Sequence, residues 1–499
     1  MKGIIAESDG LNSGDGRVSR HGGGSHLDQR RKATRARPAA IIAAAGLGAT
    51  IALIPPPNGL TPAAMRAVAL LIWAIICWAG NLLDDYIVAM IMGLGWVVFR
   101  VVPFDVAFAC FSTSTWWMIV GALGLGVAVA ESGLLRRVAL LILRVLPPTF
   151  IGQTAGLALA GIPLGPALPT VTGKTALAAP FVLGLSEAMG LEERSAHSTG
   201  LFMSMFVGFA VLGPLFLTGT VTNLLVLSLL PASVRSGITW FSWFLTYLPT
   251  MLIILVLSWL SILWVCRPKR VTMLSHEYLN EELATLGPMG REERITVITL
   301  AATILMWITG QWHGIDLASV AMAAVAFLGA SGVIDRDSFQ SKVSWTGLIF
   351  IGFTLNLTRV LPYVGLDTWL GPRVLPLFRP VIDRPVLFFP LLMLTVFLVR
   401  QFLISDFAVI TIMVLILAPI AGAAGINPWT IGLATHLVVQ SIWILPFQND
   451  AYLVSNQASF WRLTDQRRAA LLSVTTVAAS MVAVVASLPW WRHLGLLPR

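Results

Sequence analysis

Long apolar runs fill most of this chain, and they decide what it can fold into. The 499 residues are 57% hydrophobic and only 11% charged, whereas a soluble domain carries about 25% charged residues. A helix that crosses a membrane needs about 20 mostly apolar residues. The sequence therefore predicts an all-α polytopic membrane protein with about 11 transmembrane helices, near 39–56, 66–82, 87–103, 115–132, 199–230, 240–265, 295–312, 316–333, 345–362, 429–458 and 469–490.

The positive charge lies at the ends of these apolar runs. The net charge is +9, but this distribution is typical of membrane topology rather than of nucleic-acid binding. Residues 1–38 are polar and end in a basic cluster directly before the first span, which predicts a disordered cytoplasmic N-terminus rather than a signal peptide. Loops rich in Arg and Lys, including 266–294, fall on the same side. We expect a multi-pass protein of a bacterial inner membrane.

The two halves of the chain follow the same order. Residues 39–265 and 295–499 each contain a span that opens with Trp and is followed by a broken apolar region, near 150–190 and near 384–424. An odd number of spans between corresponding elements makes the two repeats inverted in the membrane. Inverted repeats with paired interruptions are a sequence-level pointer to a transporter's binding site. The pattern predicts two re-entrant hairpins.

The first broken region carries the most specific chemistry. Three prolines and three glycines lie between Gly161 and Gly173, so one continuous helix is excluded. The predicted hairpin tip, 169–174, offers hydroxyls, free backbone groups and the ammonium of Lys174. Helix N-termini suit an anion, and exposed carbonyls suit a cation such as sodium. Lys174 is expected either to contact the substrate anion or to extend to the membrane interface.

Three further polar segments interrupt apolar sequence. Residues 218–223 place hydroxyls and an amide inside a predicted span, which indicates local unwinding, although a single threonine often bonds to its own helix. Residues 400–408 form the second broken region, and 445–450 interrupt its partner span. Asp406 is expected to pair with Arg400, bind a cation or exchange protons. Arg400 could alternatively face an anionic substrate.

Three motifs resemble those of the divalent anion/sodium symporter family. Leu-Gly-Pro-Met-Gly-Arg-Glu-Glu at 286–293 is similar to the family's Leu-Gly-Pro-Met-Ser-x-x-Glu. Pro-Thr-Val-Thr-Gly-Lys at 169–174 stands where the family has Pro-Ser-Asn-Thr-Ala-Arg, or Ser-Val-Ser-Ala-Arg in translocator-like members. Thr-Gly-Thr-Val-Thr-Asn-Leu at 218–224 resembles the family's Thr-Gly-Thr-Pro-Pro-Asn-Leu. The family includes plastid 2-oxoglutarate/malate translocators and bacterial citrate or dicarboxylate carriers.

The resemblance implies an elevator-type fold of the ion-transporter superfamily. It implies a homodimer with a scaffold and a mobile transport domain in each protomer. Together with the residue patterns, it places substrate binding and cation binding at the hairpin tips and unwound helices. The substrate set is Thr170, Val171, Thr172, Gly173, Lys174, Thr222, Asn223, Ser405, Asp406 and Phe407, and the cation set is Thr170, Thr172, Thr218, Gly219, Thr220, Ser405, Asp406, Pro446 and Asn449.

The sequence departs from the family motifs at four of these positions. Val171 stands where the family has an amide, although Val171 and Thr172 resemble the tip of translocator-like members. In the second motif only Ser405 is kept, because Phe407 cannot donate a hydrogen bond and Asp406 would repel a dianion unless it is protonated or paired. Lys174 replaces the family's Arg with a point charge. We expect a secondary active carrier of small organic anions, di- or tricarboxylates, that works by cation-coupled symport or by exchange. The alternative is a proton-coupled carrier or exchanger of a sulfate-like oxyanion or a monocarboxylate. Sodium and protons both remain open as coupling ions, and no other cofactor or metal is expected.

The sequence does not favour an enzyme. Intramembrane hydrolysis would need a nucleophile–base pair or a metal cluster. The histidines within or beside spans are isolated, and the three cysteines sit singly in or beside apolar segments; these residues are His197, His313, His436, Cys77, Cys110 and Cys266. No catalytic residue is therefore expected. The expected partners are a small anion, the lipid bilayer and a second copy of the chain, without nucleic acid.

Overall fold

Every regular element of the described chain is helical. The computed structural model describes residues 38, 40–80, 82–270, 272–366, 369, 373, 380–403 and 405–498. The segment 1–37 of the predicted N-terminal tail lies outside the described residues. Many helices begin at a Ser, Thr, Asp or Asn side chain that accepts from a first-turn amide, the preferred N-cap chemistry.

The described residues of the first half form twelve α-helices. They are α1 (Ala40–Leu53), α2 (Pro62–Ala79), α3 (Asp85–Val98), α4 (Phe104–Ala107), α5 (Ser114–Ser132), α6 (Leu134–Val145), α7 (Phe150–Leu164), α8 (Val171–Ala188), α9 (Ala196–Phe206), α10 (Val221–Leu229), α11 (Ala232–Arg235) and α12 (Trp240–Val265). Short 3-10 segments follow at Ala109–Ser112, Gly165–Ala167 and Gly213–Leu215, and Val207–Val211 is π-helical.

The second half has a matching order of elements. Its helices are α13 (His276–Leu286), α14 (Arg291–Ile308), α15 (Gly310–His313), α16 (Leu317–Ala330), α17 (Arg336–Lys342), α18 (Trp345–Tyr363), α19 (Pro385–Arg400), α20 (Asp406–Ala423), α21 (Pro428–Gln440), α22 (Asp450–Ala458) and α23 (Gln466–His493). A 3-10 turn, Pro446–Gln448, lies between α21 and α22.

Long apolar helices confirm the predicted all-α membrane fold. Within the described residues, five segments are long and apolar enough to cross a membrane: α5, Ala196–Leu215, α12, α20 and α23. A sixth is added if α17 and α18, which are bent by 56°, count as one span. The shorter apolar helices include α1, α3, α16 and α19. The predicted spans 199–230 and 429–458 are each divided into two helices by a non-α segment.

The helices pack as two sets. In the first set, α5 packs against α16, α18 packs against α3, and α2 and α14 complete the contacts. In the second set, α12 packs against α23, α7 packs against α9, and α19 and α20 both pack against α21. Helix α10 belongs to the second set but also contacts α5 and α18 of the first. It therefore lies at the boundary between the two sets.

Each broken region of one half packs against the divided span of the other half. We call α7–α8 the first hairpin and α19–α20 the second hairpin. Helix α8 packs extensively against α22, and α20 packs against α10. This exchange brings the four chain interruptions, two hairpin tips and two span breaks, toward one region of the second set.

Ion pairs join the loops at one end of the bundle. Arg137 Nε lies 2.5 Å from Glu293 Oε1, and Lys342 Nζ lies 2.6 Å from Glu131 Oε1. These pairs connect the start of α6 to α14 and the end of α5 to α17. The loops that were predicted to be cytoplasmic from their positive charge therefore meet on the same side.

A close glycine contact holds the first hairpin against the first divided span. A Cβ atom on Gly161 would lie 2.1 Å from the Gly208 carbonyl oxygen, and one on Gly208 would lie 2.2 Å from the Ala158 carbonyl oxygen. Neither helix can carry a side chain here without moving backbone. The contact fixes where the tip of the first hairpin stands.

The substitution Gly161→Ala is expected to destabilise the protein by about 1–3 kcal/mol, the typical effect of overpacking a close-packed interior. The measurement is the midpoint of thermal unfolding in detergent. Gly184→Ala is the matched control, because a Cβ there meets nothing within 4 Å. Equal midpoints for the two variants would show that the glycine contact is not a packing constraint.

Candidate functional site

The tip of the first hairpin is bonded to the break in the first divided span. Helix α7 ends next to Pro166, and α8 does not begin until Val171. The backbone amide of Val221 donates to the Pro169 carbonyl at 3.0 Å, and Thr218 Oγ1 donates to the Pro166 carbonyl at 2.8 Å. The non-helical backbone that the prolines predicted is thus paired with the other interruption.

Lys174 lies inside this arrangement. Its residue is 1% exposed, and Nζ donates to the Gly219 carbonyl oxygen at 2.9 Å. The side chain does not reach the surface, so of the two alternatives raised by the sequence, extension to the interface does not occur here. A Cβ on Gly219 would lie 2.3 Å from the Gly213 carbonyl oxygen, which explains the glycine at the turn. This bond holds the amino group of Lys174 at the break.

The start of α10 carries a buried network that joins the two halves of the chain. Thr220 Oγ1 accepts from the amide of Thr222 at 3.0 Å. Thr222 Oγ1 lies 2.7 Å from His436 Nε2, and Gln440 Nε2 donates to the same hydroxyl at 3.4 Å. His436 is fully buried, and its Nδ1 has no partner among the described residues. The network therefore holds a polar atom that is free to meet a ligand.

Two of the predicted ligands instead hold the break in shape. Asn223 Nδ2 donates to the Phe216 carbonyl at 2.7 Å. Thr218 donates to Pro166, as described above, and accepts from Trp240 Nε1 at 3.3 Å. Asn223 Oδ1, however, is buried and has no partner in the described part of the chain. This oxygen remains available to a donor.

The second hairpin repeats the use of a cationic side chain. Arg400 is 1% exposed and donates to the Gln448 carbonyl, to Asp406 and to the Leu403 carbonyl. Gln448 Nε2 donates in turn to Gln401 Oε1 at 2.9 Å. The predicted pair between Arg400 and Asp406 is present. Like Lys174, Arg400 binds a carbonyl of the neighbouring span break.

Ser405 and Phe407 contact the first set of helices. Ser405 Oγ donates to Asp85 Oδ2 on α3 at 3.0 Å. The ring of Phe407 lies 5.1 Å from that of Phe350 on α18, measured between centroids. Phe407, a predicted substrate residue, therefore packs against an aromatic side chain of the other set. Asp85 was missed in the sequence because its partner is 320 residues away.

Four helices, α8, α10, α20 and α22, begin at the chain interruptions. Their N-termini differ in whether a side chain caps the first turn. Thr220, Ser405 and Asn449 each accept from an amide in the first turn of α10, α20 and α22. Thr170, at the start of α8, makes no such side-chain bond. The half-buried residues that follow it, from Val171 on, therefore present backbone amides without a side-chain cap. Unpaired first-turn amides favour an anion.

The second break completes the arrangement. Asn449 Oδ1 accepts from the Tyr452 amide at 3.0 Å, and Pro446 opens the 3-10 turn before it. Thr175 Oγ1 donates to the Ala451 carbonyl at 3.4 Å, which joins the first hairpin to the second break. No group of three His, Cys, Asp or Glu side chains that could hold a metal ion occurs in the described ranges.

The family model described as the sodium:sulfate symporter transmembrane region matches residues 36–497. The chain belongs to this family. It is 26% identical over 328 residues to chloroplastic dicarboxylate transporter 2 of Spinacia oleracea, in an alignment covering 64% of this chain and 58% of that one. It is 24% identical over 347 residues to the putative malate transporter YflS of Bacillus subtilis, covering 68% and 72%.

Another relative is described as an exchanger. The L-tartrate/succinate antiporter of Shigella boydii is 25% identical over 288 residues, covering 56% of each chain. The chain thus spans less than two thirds of the length of the Spinacia and Shigella relatives. The crystal structure of the YdaH transporter of Alcanivorax borkumensis is similar in fold, with a TM-score of 0.50 at 17% identity over 77% of this chain and 86% of that one.

Replacement of Arg400 by Met is expected to destabilise the protein by about 3–5 kcal/mol, because removal of one partner leaves the carboxylate of a buried pair unpaired. Arg400→Lys should recover only part of the loss, since one ammonium cannot reproduce the planar fork that serves three acceptors. The measurement is thermal unfolding in detergent. Arg384→Lys at an exposed helix start is the control. Wild-type midpoints for both Arg400 variants would contradict the assignment.

Proposed function

We propose that this chain is a secondary carrier of small dicarboxylates and that the anion binds between the tip of the first hairpin and the start of α10. The observation that carries the proposal is the joining of four chain interruptions into one polar cluster inside an apolar protein. Polar, non-helical backbone at membrane depth is tolerated where it lines a cavity or is covered by protein. The names of the Spinacia, Bacillus and Shigella relatives support this substrate class.

The donors at this place suit a carboxylate. The first turn of α8 supplies backbone amides without a side-chain cap, and Lys174 supplies positive charge one turn further on. Thr222 and His436 supply polar atoms from the other side of the cluster. A charged group bound by several donors in a desolvated site gains more than a neutral one. A dicarboxylate would use both sides of the cluster.

We further propose that transport proceeds by exchange without sodium. A sodium site in such breaks would use their carbonyl oxygens, yet Lys174 already bonds the Gly219 carbonyl and Arg400 the Gln448 carbonyl. A sodium ion about 4 Å from the Lys174 ammonium would be repelled by about 4 kcal/mol at an effective dielectric constant of 20. In this proposal Lys174 takes the place of a coupling ion at the first break.

The proposed cycle moves the second set of helices against the first. Ser405–Asp85 and Phe407–Phe350 are contacts between the sets that such a movement would break and remake. We also propose that the carrier is a homodimer in a bacterial inner membrane with its N-terminus in the cytoplasm, and that it catalyses no covalent reaction. The ion-paired end formed around Arg137 supports this orientation, because positive loops remain in the cytoplasm.

Proteoliposomes preloaded with succinate should take up labelled malate or 2-oxoglutarate, and external sodium should not change the rate. Lys174→Ala should abolish uptake, because the carboxylate loses its charged partner at the tip. Lys342→Ala is the matched control, since that lysine forms an exposed pair at the end of the bundle. Absence of uptake for every di- and tricarboxylate tested, or strict dependence on sodium, would refute the proposal.

A second candidate is proton-coupled transport through Asp406. Asp85 and Asp450 both lie close enough to Asp406 to interact with it electrostatically, and the Arg400 guanidinium interacts in the same way with Asp406 and Asp450. Carboxylates in excess of the positive charge favour the binding of a proton. The cluster could therefore carry one proton with each transport cycle.

An inward proton gradient should then stimulate uptake into liposomes that contain no counter-substrate. Asp406→Asn should remove this stimulation while exchange continues. Asp337→Asn is the control for a general effect of charge, because Asp337 is an acid on helix α17 and not on the second hairpin. A rate that does not respond to the gradient in the unsubstituted protein would exclude this candidate and leave exchange alone.

A further inference from the structure

A cavity of about 740 Å³ lies between the two sets of helices, away from the cluster just described. Its walls come from the first residues of α5, the ends of α10 and α18, and the middle of α20. None of the residues assigned above to the substrate or the hairpin tips lines it. It lies at the start of α5, and Arg137 lies just beyond the other end of that helix. Under the proposed orientation it is therefore on the non-cytoplasmic side.

The cavity is positively charged. Arg235 and Arg359 both line it, and both lie close enough to Cys110 to interact electrostatically with its thiol. Arg359 is exposed and Arg235 is half-buried. No Asp or Glu occurs among the described residues that line the cavity. Two guanidiniums without a carboxylate between them form a field that attracts anions.

The start of α5 adds to this field. Thr113 caps the helix, and Ser114 and Thr115 line the cavity with the hydroxyls of the first turn. The positive end of a 19-residue helix therefore points toward the same space as the two arginines.

An unpaired hydroxyl gives an independent indication of a ligand. Thr411 lines the cavity from α20 and is fully buried, yet its Oγ1 has no hydrogen-bond partner in the described part of the chain. A buried hydroxyl without a partner is costly, and native proteins rarely leave one unsatisfied. A polar ligand that displaced the side chains covering this hydroxyl would satisfy it.

We propose that this cavity is a second anion site, a vestibule in which a dicarboxylate is held by Arg235 and Arg359 before it enters the transport site. A dicarboxylate offers one carboxylate to each of the two guanidiniums, and Arg–carboxylate hydrogen bonds are among the strong ones. Helix α20, which carries Thr411, begins at Asp406 of the second hairpin. One wall of the vestibule is therefore formed by α20, which belongs to the second set of helices, the set proposed to move. The choice of dicarboxylates rests on the proposed function, whereas the anion site itself does not.

The site can be tested without transport by labelling a cysteine in the cavity. Ser114→Cys places a thiol at its exposed rim, and the native Cys77, Cys110 and Cys266 are all buried, so the unsubstituted protein serves as the blank. An anionic methanethiosulfonate should react faster than a cationic one of similar size. Addition of Arg235→Gln and Arg359→Gln should reduce this ratio by about tenfold or more, the range of electrostatic concentration in a charged cleft.

Succinate should protect the Ser114→Cys thiol, and the two glutamine substitutions should remove that protection. Variants with Arg235→Lys and Arg359→Lys should retain the anionic preference, which separates loss of charge from loss of folding. An unchanged reagent ratio in the glutamine double variant would overturn the anion site. Protection by sulfate or phosphate but not by succinate would overturn the dicarboxylate assignment.

A transport measurement separates this proposal from the one on which it partly depends. In liposomes with the cavity facing outward, the glutamine double variant should raise KM for external succinate several-fold and leave the maximal rate unchanged. With the opposite orientation, KM should not change. Absence of transport together with preserved anionic labelling would refute the proposed function alone, and normal KM from both sides would refute the vestibule alone.

Discussion

The hydrogen bond between the Lys174 ammonium and the Gly219 carbonyl is the interaction on which the rest of the site depends. It places a positive charge in the interior of an apolar protein and closes the first hairpin against the first divided span. A buried ammonium is costly unless carbonyls or carboxylates surround it. Its presence therefore requires the unwound backbone at Gly219, and the unwound backbone requires a donor such as the ammonium. The two features stabilise each other.

Arg400 has the same relation to the second divided span, with one addition. It bonds a carbonyl of the break and also an acid, Asp406, at the start of α20. Lys174 therefore has no acidic partner among the described residues, whereas Arg400 is largely neutralised by Asp406. This asymmetry places the stronger field for an anion at the first hairpin. It also places the acidic groups around the second.

Sequence reasoning could predict the features that depend on neighbouring residues. The prolines and glycines around Pro169 predicted the first hairpin tip, and the spacing of Arg400 and Asp406 allowed their pair. Residues whose role depends on distant partners were not predictable. His436 looked isolated because Thr222 is 214 residues away. Phe407 was assigned to the substrate from its position in the family motif, and its contact with Phe350 could not be seen in the sequence. Tertiary packing, which one sequence does not reveal, determined both.

Helix α10 lies at the boundary of the two sets, and its composition has a mechanical consequence. Between Leu224 and Leu227 it contains Leu and Val alone, and these residues are buried. Aliphatic side chains make dispersion contacts without fixed directions. A surface of this kind can slip along α5 and α18 without first losing hydrogen bonds, so resistance to sliding comes mainly from the polar link between Ser405 and Asp85. The boundary therefore combines an apolar surface, along which the two sets can slide, with a hydrogen bond between Ser405 and Asp85 that must break first.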